Sequence, residues 1–509
     1  VILVPHLRQI ILADAGADTG VAPDQPIAFV GVSPPRPRAL RKVLGTWLGA
    51  PLTTSGLGRL GDAIVAHYER CGCPVVELLV PEQDGVGGIL RMLVTGGVVG
   101  DILLESGSHF KAERLAKLLR LKRGEPLTVG RIDSQVATLS RNPFRSVSTY
   151  ASPGSEPGEA DLLFQVEDRF PFRLYAGYDN RGTSLVGEER AYTGFNWGNV
   201  FGLDHLLSYQ FTSGEDIDTL AGHALAYTIP LWWGHEFKLS GAYAEVEVPL
   251  QESGATFLAS GTSWEVLASY RAALPSTAGL DHAFTISGAF KSADNDLAFG
   301  GLRLTDSVTE TAQLSGTYEA TRKNTTSASS LRADVVWSPG NLTGNNTGTA
   351  FSEVRAGADS SYVYGSLSAR HLQSLPATAT LVLRGTAQWS DAALLPGEQL
   401  ALGGVDSVRG YAERAFLGDS GYSFSTEILT PALPLARRFS SVDDSFQLLA
   451  FFDYGFARGL PSGGDTELSS GGLGFRYRIG QRVNLRFDYG WRTDGGGSHG
   501  HAALVVAWP

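Results

Sequence analysis

An arginine and an aspartate carry the chemistry of this sequence. Arg409 sits in Val408-Arg409-Gly410-Tyr411, inside a glycine-rich connection from Gln399 to Tyr422 that links two strand-like runs, Thr378 to Trp389 and Ser423 to Thr430. Long connections with a pattern of their own are functional or disordered. Gly403, Gly404 and Gly410 permit backbone conformations closed to other residues, which argues for a shaped tip. A guanidinium in such a tip needs an anionic partner, and Asp453 offers one. From Phe446 to Ala457 the residues alternate: Phe446, Leu448, Ala450, Phe452, Tyr454 and Phe456 share one face, Gln447, Leu449, Phe451, Asp453 and Gly455 the other. Asp453 is the sole charge on that second face. The chemistry on offer is an ion pair that fastens a loop to a wall.

Other groups with a reactive look lead elsewhere. Gly418-Asp419-Ser420-Gly421 looks like a serine-protease nucleophile loop, but Tyr422 follows it where glycine would be needed, and a triad requires a His and an Asp in fixed geometry. It reads as a turn leaving the loop. Asp294-Asn295-Asp296 lacks the glycine and terminal glutamate of an EF-hand. Cys71 and Cys73, the only cysteines, have just His67 nearby, so they read as incidental thiols or a strained local disulfide at a helix end. The ten histidines form no HExxH pair, and no nucleotide-binding loop is present. The expectation is a protein that is not an enzyme and needs no cofactor and no metal.

The elements that position Arg409 and Asp453 are strands. From Arg169 to Pro509 alternating segments recur, sixteen of them, among them Phe172 to Asp179, Phe237 to Val248 and Val483 to Trp491. The spacing leaves room for about 9 to 11 membrane-crossing residues plus a turn in each. Val483, Leu485, Phe487, Tyr489 and Trp491 form an apolar aromatic face, and Asn484, Arg486, Asp488 and Gly490 the other. Turning Arg486 to lipid at mid-bilayer would cost about 2 to 4 kcal/mol. That is enough to set the register. A soluble β-sandwich would show the same alternation with its aromatics inside; an even count without a second layer favours a closed membrane barrel.

Composition agrees. The 509 residues include 62 Gly, 17 Tyr and 9 Trp, which suits many turns and aromatic girdles. A net charge of −11 and a pI near 5.4 argue against a nucleic-acid partner. Mean hydropathy is −0.02, the neutral average expected when lipid-facing and lumen-facing residues alternate. No run of about 18 apolar residues supplies a transmembrane helix. With Val at position 1 and no basic-then-apolar leader, the chain reads as one whose secretory signal has been removed.

The first third is organised by a repeat. Gly49-Ala50-Pro51-Leu52-Thr53 recurs as Gly124-Glu125-Pro126-Leu127-Thr128, an offset of 124 − 49 = 75 residues. The helical core positions follow it: Leu40, Val43 and Leu44 map to Leu115, Leu118 and Leu119. Each unit reads strand, helix, helix, strand, strand. The expected boundaries are a segment or linker over 1–24, one α+β module over 25–97, a second over 98–168, and a β-domain over 169–509 that carries the long loop over 399–422. The connection after Ser338, rich in Gly and Asn, suits an exposed outer surface.

Gly403-Gly404 with Val408-Arg409-Gly410-Tyr411, followed by Phe451-x-Asp453-x-Gly455, resemble the paired signatures of outer-membrane barrels with periplasmic POTRA domains. Within that superfamily the sequence is similar to the two-partner-secretion transporters, or TpsB proteins, which export haemolysins and adhesins. The resemblance implies a fold of two α+β POTRA domains followed by an all-β transmembrane barrel of about 16 antiparallel strands. It also implies a loop folded back into the lumen, with Arg409 meeting Asp453 on the inner wall in a partly solvated pair. Asn142-Pro143-Phe144, between Arg141 and Arg145, matches the family's second POTRA domain. Trp508 fits the terminal aromatic residue that serves as an assembly signal, although Pro509 follows it. The N-terminal plug helix of many TpsB proteins has no counterpart in residues 1–24. The implied partners are an unfolded TpsA-type protein with an N-terminal secretion domain and outer-membrane lipid. The alternative is a barrel-assembly insertase of the same superfamily, which shares the VRGY motif.

Overall fold

A computed structural model describes residues 2–14, 25–84, 87–156, 158–183, 186–252, 255–275, 279–299, 302–436, 442–460 and 463–508. The chain divides into two units, Val1–Arg169 and Phe170–Pro509.

Two α/β modules make up the first unit. β1 (Ile2–Val4), β2 (Gln9–Ala13), β3 (Ile27–Val30), α1 (Pro37–Gly45), β4 (Leu52–Thr53), α2 (Thr54–Arg70), β5 (Val76–Leu79) and β6 (Ile89–Gly96) form the first. β7 (Val98–Ser106), α3 (Ala112–Ala116), α4 (Val129–Leu139), β8 (Arg145–Pro153) and β9 (Glu159–Asp168) form the second. The repeated Pro-Leu-Thr owes its recurrence to two jobs. Leu52 and Leu127 are each 2% exposed. Thr53 and Thr128 then cap α2 and α4, accepting from Gly56 N at 3.1 Å and Arg131 N at 3.3 Å.

The N-terminal segment departs from the expected linker. β2 lies inside the first module's sheet, order β3-β2-β6-β5, parallel to both β3 and β6. In the second sheet, order β7-β9-β8, the corresponding place beside the last strand belongs to β7. Ile10, Ile11 and Leu12 are at most 1% exposed, so the first module begins before residue 25; residues 15–24 lie outside the described ones. Two consecutive buried faces in a five-residue strand mark an interior strand; the apolar run from Arg8 to Ala13 reads as strand-like in the sequence, but its place in this sheet does not. Cys71 and Cys73 are free thiols.

Among the described residues the second unit is a closed antiparallel barrel of sixteen strands. They are β10 (Phe172–Asp179), β11 (Arg190–Val200), β12 (His205–Ser213), β13 (Leu220–Pro230), β14 (Glu236–Glu252), β15 (Ala255–Ala273), β16 (Leu280–Phe299), β17 (Leu302–Lys323), β18 (Ser327–Pro339), β19 (Ser361–Ser374) and β20 (Thr380–Ser390), then, after a small hairpin of β21 (Leu400–Leu402) and β22 (Phe416–Gly418), β23 (Ser420–Leu429), β24 (Asp444–Arg458), β25 (Asp465–Ile479), β26 (Val483–Arg492) and β27 (Ser498–Trp508). First and last strands close the ring, with Leu174 opposite Trp508. The outward face is apolar as the alternation demands: Trp491 is 50% exposed and Phe452 48%, while Asp488 and Asp453 are both 0%. No helix among the described residues is long and apolar enough to cross a membrane.

Two features differ from the sequence expectation. β14 to β17 run 17 to 22 residues, against the 7 to 12 whose alternation is legible. Their backbone pairing continues past the length a bilayer needs, where no lipid enforces an apolar face. Asp294, Asn295 and Asp296 fall on β16, paired across to β15. The 340–360 connection is not a simple exposed loop. It carries α5 (Gly348–Val354), whose Phe351 is 0% exposed against Ala358, Tyr362 and Leu394. Asn346, also 0% exposed, accepts from Leu342 N and donates to Glu310 O, which folds the polar run back on itself.

Candidate functional site

The connection between β20 and β23 enters the lumen. Leu400 and Leu402 pair with Gly418 and Phe416, so the hairpin β21/β22 forms a stem, and the wall strand β23 already begins at Ser420. At the tip Gly403, Gly404 and Gly410 all adopt φ between 92° and 96°, the left-handed region that a side chain resists. A Cβ on Gly404 would lie 2.1 Å from Glu413 Oε2. That carboxylate accepts from Val405 N at 3.0 Å, and burial pushes its pKa above the ordinary carboxylate value. The tip is a preformed turn.

Its arginine is fully enclosed. Arg409 Nε and Nη2 donate to the two oxygens of Asp453 at 2.7 and 2.8 Å, and Arg409 N donates to the same carboxylate at 3.1 Å. Nη1 donates to Glu427 Oε1 at 2.6 Å and approaches Asp488 Oδ1 at 3.5 Å; Nη2 reaches Ser425 Oγ at 3.2 Å. The guanidinium carbon lies 3.5 Å from the Phe451 ring centroid. Burial works against the arginine's charge, but Asp453, then Glu427 and Asp488, outweigh it and raise the pKa above its ordinary value.

This corrects the expected partly solvated pair. Arg409 is 1% exposed and Asp453 0%. The knot is also larger than a pair: Arg384 donates to Glu427, while Arg476 and Arg486 donate to Asp488 at 2.9 and 2.7 Å. Four arginines thus face three carboxylates. Glu427, Asp488, Ser425, Arg384 and Arg476 were missed in the sequence because any inward charge on a barrel strand has the same pattern as a solvated lumen residue. Only the loop's arrival distinguishes them.

The Phe451-x-Asp453-x-Gly455 spacing now has a physical reason for each member. Phe451 stacks under the guanidinium, Asp453 binds it, and Gly455 leaves room: a Cβ there would lie 2.9 Å from Leu402 Cδ2 and 3.0 Å from Val408 Cγ2. Val408, 0% exposed, packs with Leu402, Tyr411, Ala457 and Leu468. Gly410 meets Gly490 of β26 so closely that a Cβ on Gly490 would be 2.6 Å from Gly410 N. Tyr411 OH reaches Asp494 at 3.3 Å, and Arg492 stacks on its ring while donating to Gly410 O at 2.8 Å. On the other flank Arg181 binds Asp406.

Asn142, Pro143 and Phe144 lie apart from this site, at the start of β8. Asn142 Oδ1 accepts from Phe144 N at 3.1 Å, Phe144 is buried, and Arg169 stacks on its ring while donating to Pro143 O at 2.8 Å. The triplet turns the chain from α4 into β8. Trp508 is half-exposed on the outward face of β27, at the closing seam. No group of three or more metal-ligating side chains lies together among the described residues.

Across the lumen from the knot lies open space. A cavity of about 1050 Å³ is bounded by β14 to β17, through residues such as Ser263, Glu265, Lys291, Thr309 and Thr311, and by residues 395–398 of the loop's descending limb. Glu398 crosses to that wall, accepting from Lys291 Nζ and Tyr364 OH, each at 2.7 Å.

A knotted inward loop in a sixteen-strand barrel behind two α/β modules has a counterpart among known families. The model of the haemolysin secretion/activation proteins ShlB/FhaC/HecB matches residues 158–477. The chain belongs to that family. It is a two-partner-secretion transporter of the POTRA-plus-barrel kind. The heme/hemopexin transporter protein HuxB of Haemophilus influenzae is 23% identical over 447 residues, 82% of this chain and 73% of that protein. The outer membrane transporter CdiB-2 of Burkholderia pseudomallei is 28% identical over 218 residues, 42% of this chain but only 35% of its own length. Among solved structures, CdiB from Escherichia coli shares the fold with a TM-score of 0.78 at 18% identity, over 99% of this chain and 91% of that one.

Proposed function

We propose that this protein captures an unfolded, exported partner of the TpsA type in the periplasm through its two α/β modules and passes it through the barrel across the outer membrane. The observation that carries the reading is the arrangement of the lumen: a loop knotted to one wall beside an unfilled cavity of about 1050 Å³ along the other. Such a barrel has a fixed strut and a passage.

Capture has a physical basis in the sheet edges. β5 is an edge strand of the first sheet and β8 of the second, and each pairs with one neighbour only among the described residues. A cleft of about 520 Å³ runs between them, lined by Val75 to Glu77, Ala151 to Glu156 and Gly158 to Ala160. An extended client that adds a strand to either edge gains main-chain hydrogen bonds with little demand on its sequence. Exposed Leu79 and Tyr150 offer apolar contact beside those edges.

Outer-membrane lipid is the surface the barrel's outward face suits. At the end where the chain enters the barrel, His205, His235 and His282 share hydrogen bonds with Tyr227, Tyr270 and Tyr318 at 2.6, 2.7 and 3.0 Å. Tyrosines with a polar tip and an apolar body sit well at a bilayer boundary. The insertase alternative needs a seam that opens to client strands. Here β10 and β27 are paired over six consecutive residues, which favours a closed transporter.

The test is secretion of a candidate TpsA-type protein that carries an N-terminal secretion domain. Co-expression should release it to the medium, and Arg409→Ala should leave the barrel assembled in the membrane while secretion falls to near background. Undiminished secretion by that variant would reject the anchoring role of the knot.

A further inference from the structure

Asp419, in the Gly-Asp-Ser-Gly turn, is the most heavily used carboxylate outside the Arg409 knot, and nothing in the transport reading so far employs it. It is 0% exposed. Arg355 Nη1 and Nη2 donate to its two oxygens at 2.6 and 2.7 Å, a bidentate fork. Leu394 N and Leu460 N donate to it at 2.8 and 2.6 Å, and Gln399 Nε2 at 3.3 Å. Arg355 also donates to the carbonyls of Leu394 and Leu460. One ion pair therefore ties together three connections at the same end of the barrel: 340–360, 391–419 and, through Leu460, the one that follows β24.

What this tie holds is the boundary of the open cavity. Arg355 directly follows α5, and Glu353 and Val354 line the cavity from one side, while residues 395–398 line it from the other. Phe351 of α5 packs on Leu394 of the limb, so helix and limb form one body. Opposite them stands the β14–β17 wall, lined by Ser, Thr and Ala with Glu265 and Lys291. Moving that body outward would join the cavity to the outer side. The Arg409 knot lies on the other wall and takes no part.

The two ties differ in what release leaves behind. Withdrawing Arg409, 1% exposed, would leave the fully buried Asp453 without its bidentate partner, and the backbone contact of Gly410 with Gly490 would open as well. Withdrawing Arg355 leaves Asp419 with backbone N–H donors, and Arg355, at 20% exposure, is already in reach of water. The second separation is the smaller one.

We propose that α5 and residues 391–398 form a cap over the open side of the lumen, that Arg355 on Asp419 is its latch, and that transport opens this cap while the Arg409 knot keeps the loop tip in place. The inference rests on the transport reading. Arg355 and Asp419 are positioning residues for it, and the chemistry recognised is that of an extended polypeptide entering a passage lined by small hydroxyl side chains.

Two measurements test it on the full-length chain. Purified Arg355→Gln in planar bilayers of phosphatidylethanolamine and phosphatidylglycerol should show open probability raised several-fold over the parent, with unchanged heat-modifiable mobility. A folded variant that conducts like the parent overturns the latch. In the second, Cys71→Ser and Cys73→Ser give a background without native thiols. To hold the body shut against the wall, the same background carries Lys291→Cys with Glu398→Cys. With that lock oxidised, secretion should be lost and return on reduction; secretion at the parent level through the cross-linked protein overturns the cap. A parent chain that secretes nothing rejects the transport reading itself, and the conductance comparison then decides the cap alone.

Discussion

The two walls of the barrel lumen are built on opposite plans. On the side of β23 to β26, charged side chains, stacked rings and bare glycine backbone press against the loop until Arg409 and Asp453 are closed off from water. On the side of β14 to β17, hydroxyl and alanine side chains face about 1050 Å³ of open space, crossed by the Lys291–Glu398 contact. The contrast separates holding from passing. A buried charged knot is costly to break because each partner left behind is uncompensated, whereas a wall mostly of small hydroxyl and alanine side chains, with Glu265 and Lys291 among them, offers a moving chain few fixed contacts.

The sharpest way to break the contrast is to attack the knot. Asp453→Ala leaves four arginines facing two carboxylates. Loss of one partner of a buried pair costs about 3 to 5 kcal/mol, so loop docking should fail and secretion drop to background, as read by protease sensitivity of residues 399–419 and by partner release. Gly490→Ala comes next: its Cβ collides with the backbone of Arg409 and Gly410, which cannot move aside as a side chain would. Overpacking of this kind costs about 1 to 3 kcal/mol, and secretion should fall several-fold with the barrel still heat-modifiable.

On the open wall, Lys291→Ala removes ionic contacts to Glu398 at 2.7 Å and Glu265 at 3.8 Å from a partly exposed lysine. Its effect on barrel stability should stay below about 1 kcal/mol, with conductance rising modestly. The smallest effect expected is that of Thr311→Val, within about 0.5 kcal/mol and without change in docking of the tip. If it matched Asp453→Ala in secretion loss, the division between the walls would be wrong.

Acidification separates the loop's ends. Asp419 is buried, which alone would raise its pKa, but Arg355 and the Leu394 and Leu460 amides hold it below the ordinary aspartate value. Its folded pKa being depressed, its contribution to the latch is complete above the unfolded value of about 3.9 and is lost as pH falls through the lower folded value. Glu413 has the opposite sign: burial raises its folded pKa, so mild acid, by protonating it, favours the docked tip. Conductance should therefore stay flat or fall slightly from neutral pH to about 5 and rise only below about 4.

Much of this organisation was legible in residue order. Alternation such as Val483 to Trp491 revealed both faces of a strand, because a bilayer on one side and water on the other impose a period of two. The Arg409 and Asp453 signatures stood out because glycines and a lone inward charge are hard to explain otherwise. The Pro-Leu-Thr repeat marked two modules through its capping threonines. By contrast the place of β2 was hidden: Arg8 to Ala13 reads as a strand-like piece, but its pairing between β3 and β6 depends on neighbours in space. The polar stretch before α5 concealed Phe351, whose cover comes from Leu394 and Tyr362, distant in sequence.

Residue order thus determined the strands, their inward and outward faces, the repeat and the two partners of the central ion pair, since each depends on local period or on a rare residue at a strained position. Ring closure decided the rest. It brought Glu427 and Asp488 to Arg409, set Gly490 against Gly410, and carried Arg355 across to Asp419, because burial and charge pairing are properties of neighbours in space, and a lumen residue reads the same in sequence whether water or a loop fills the place beside it.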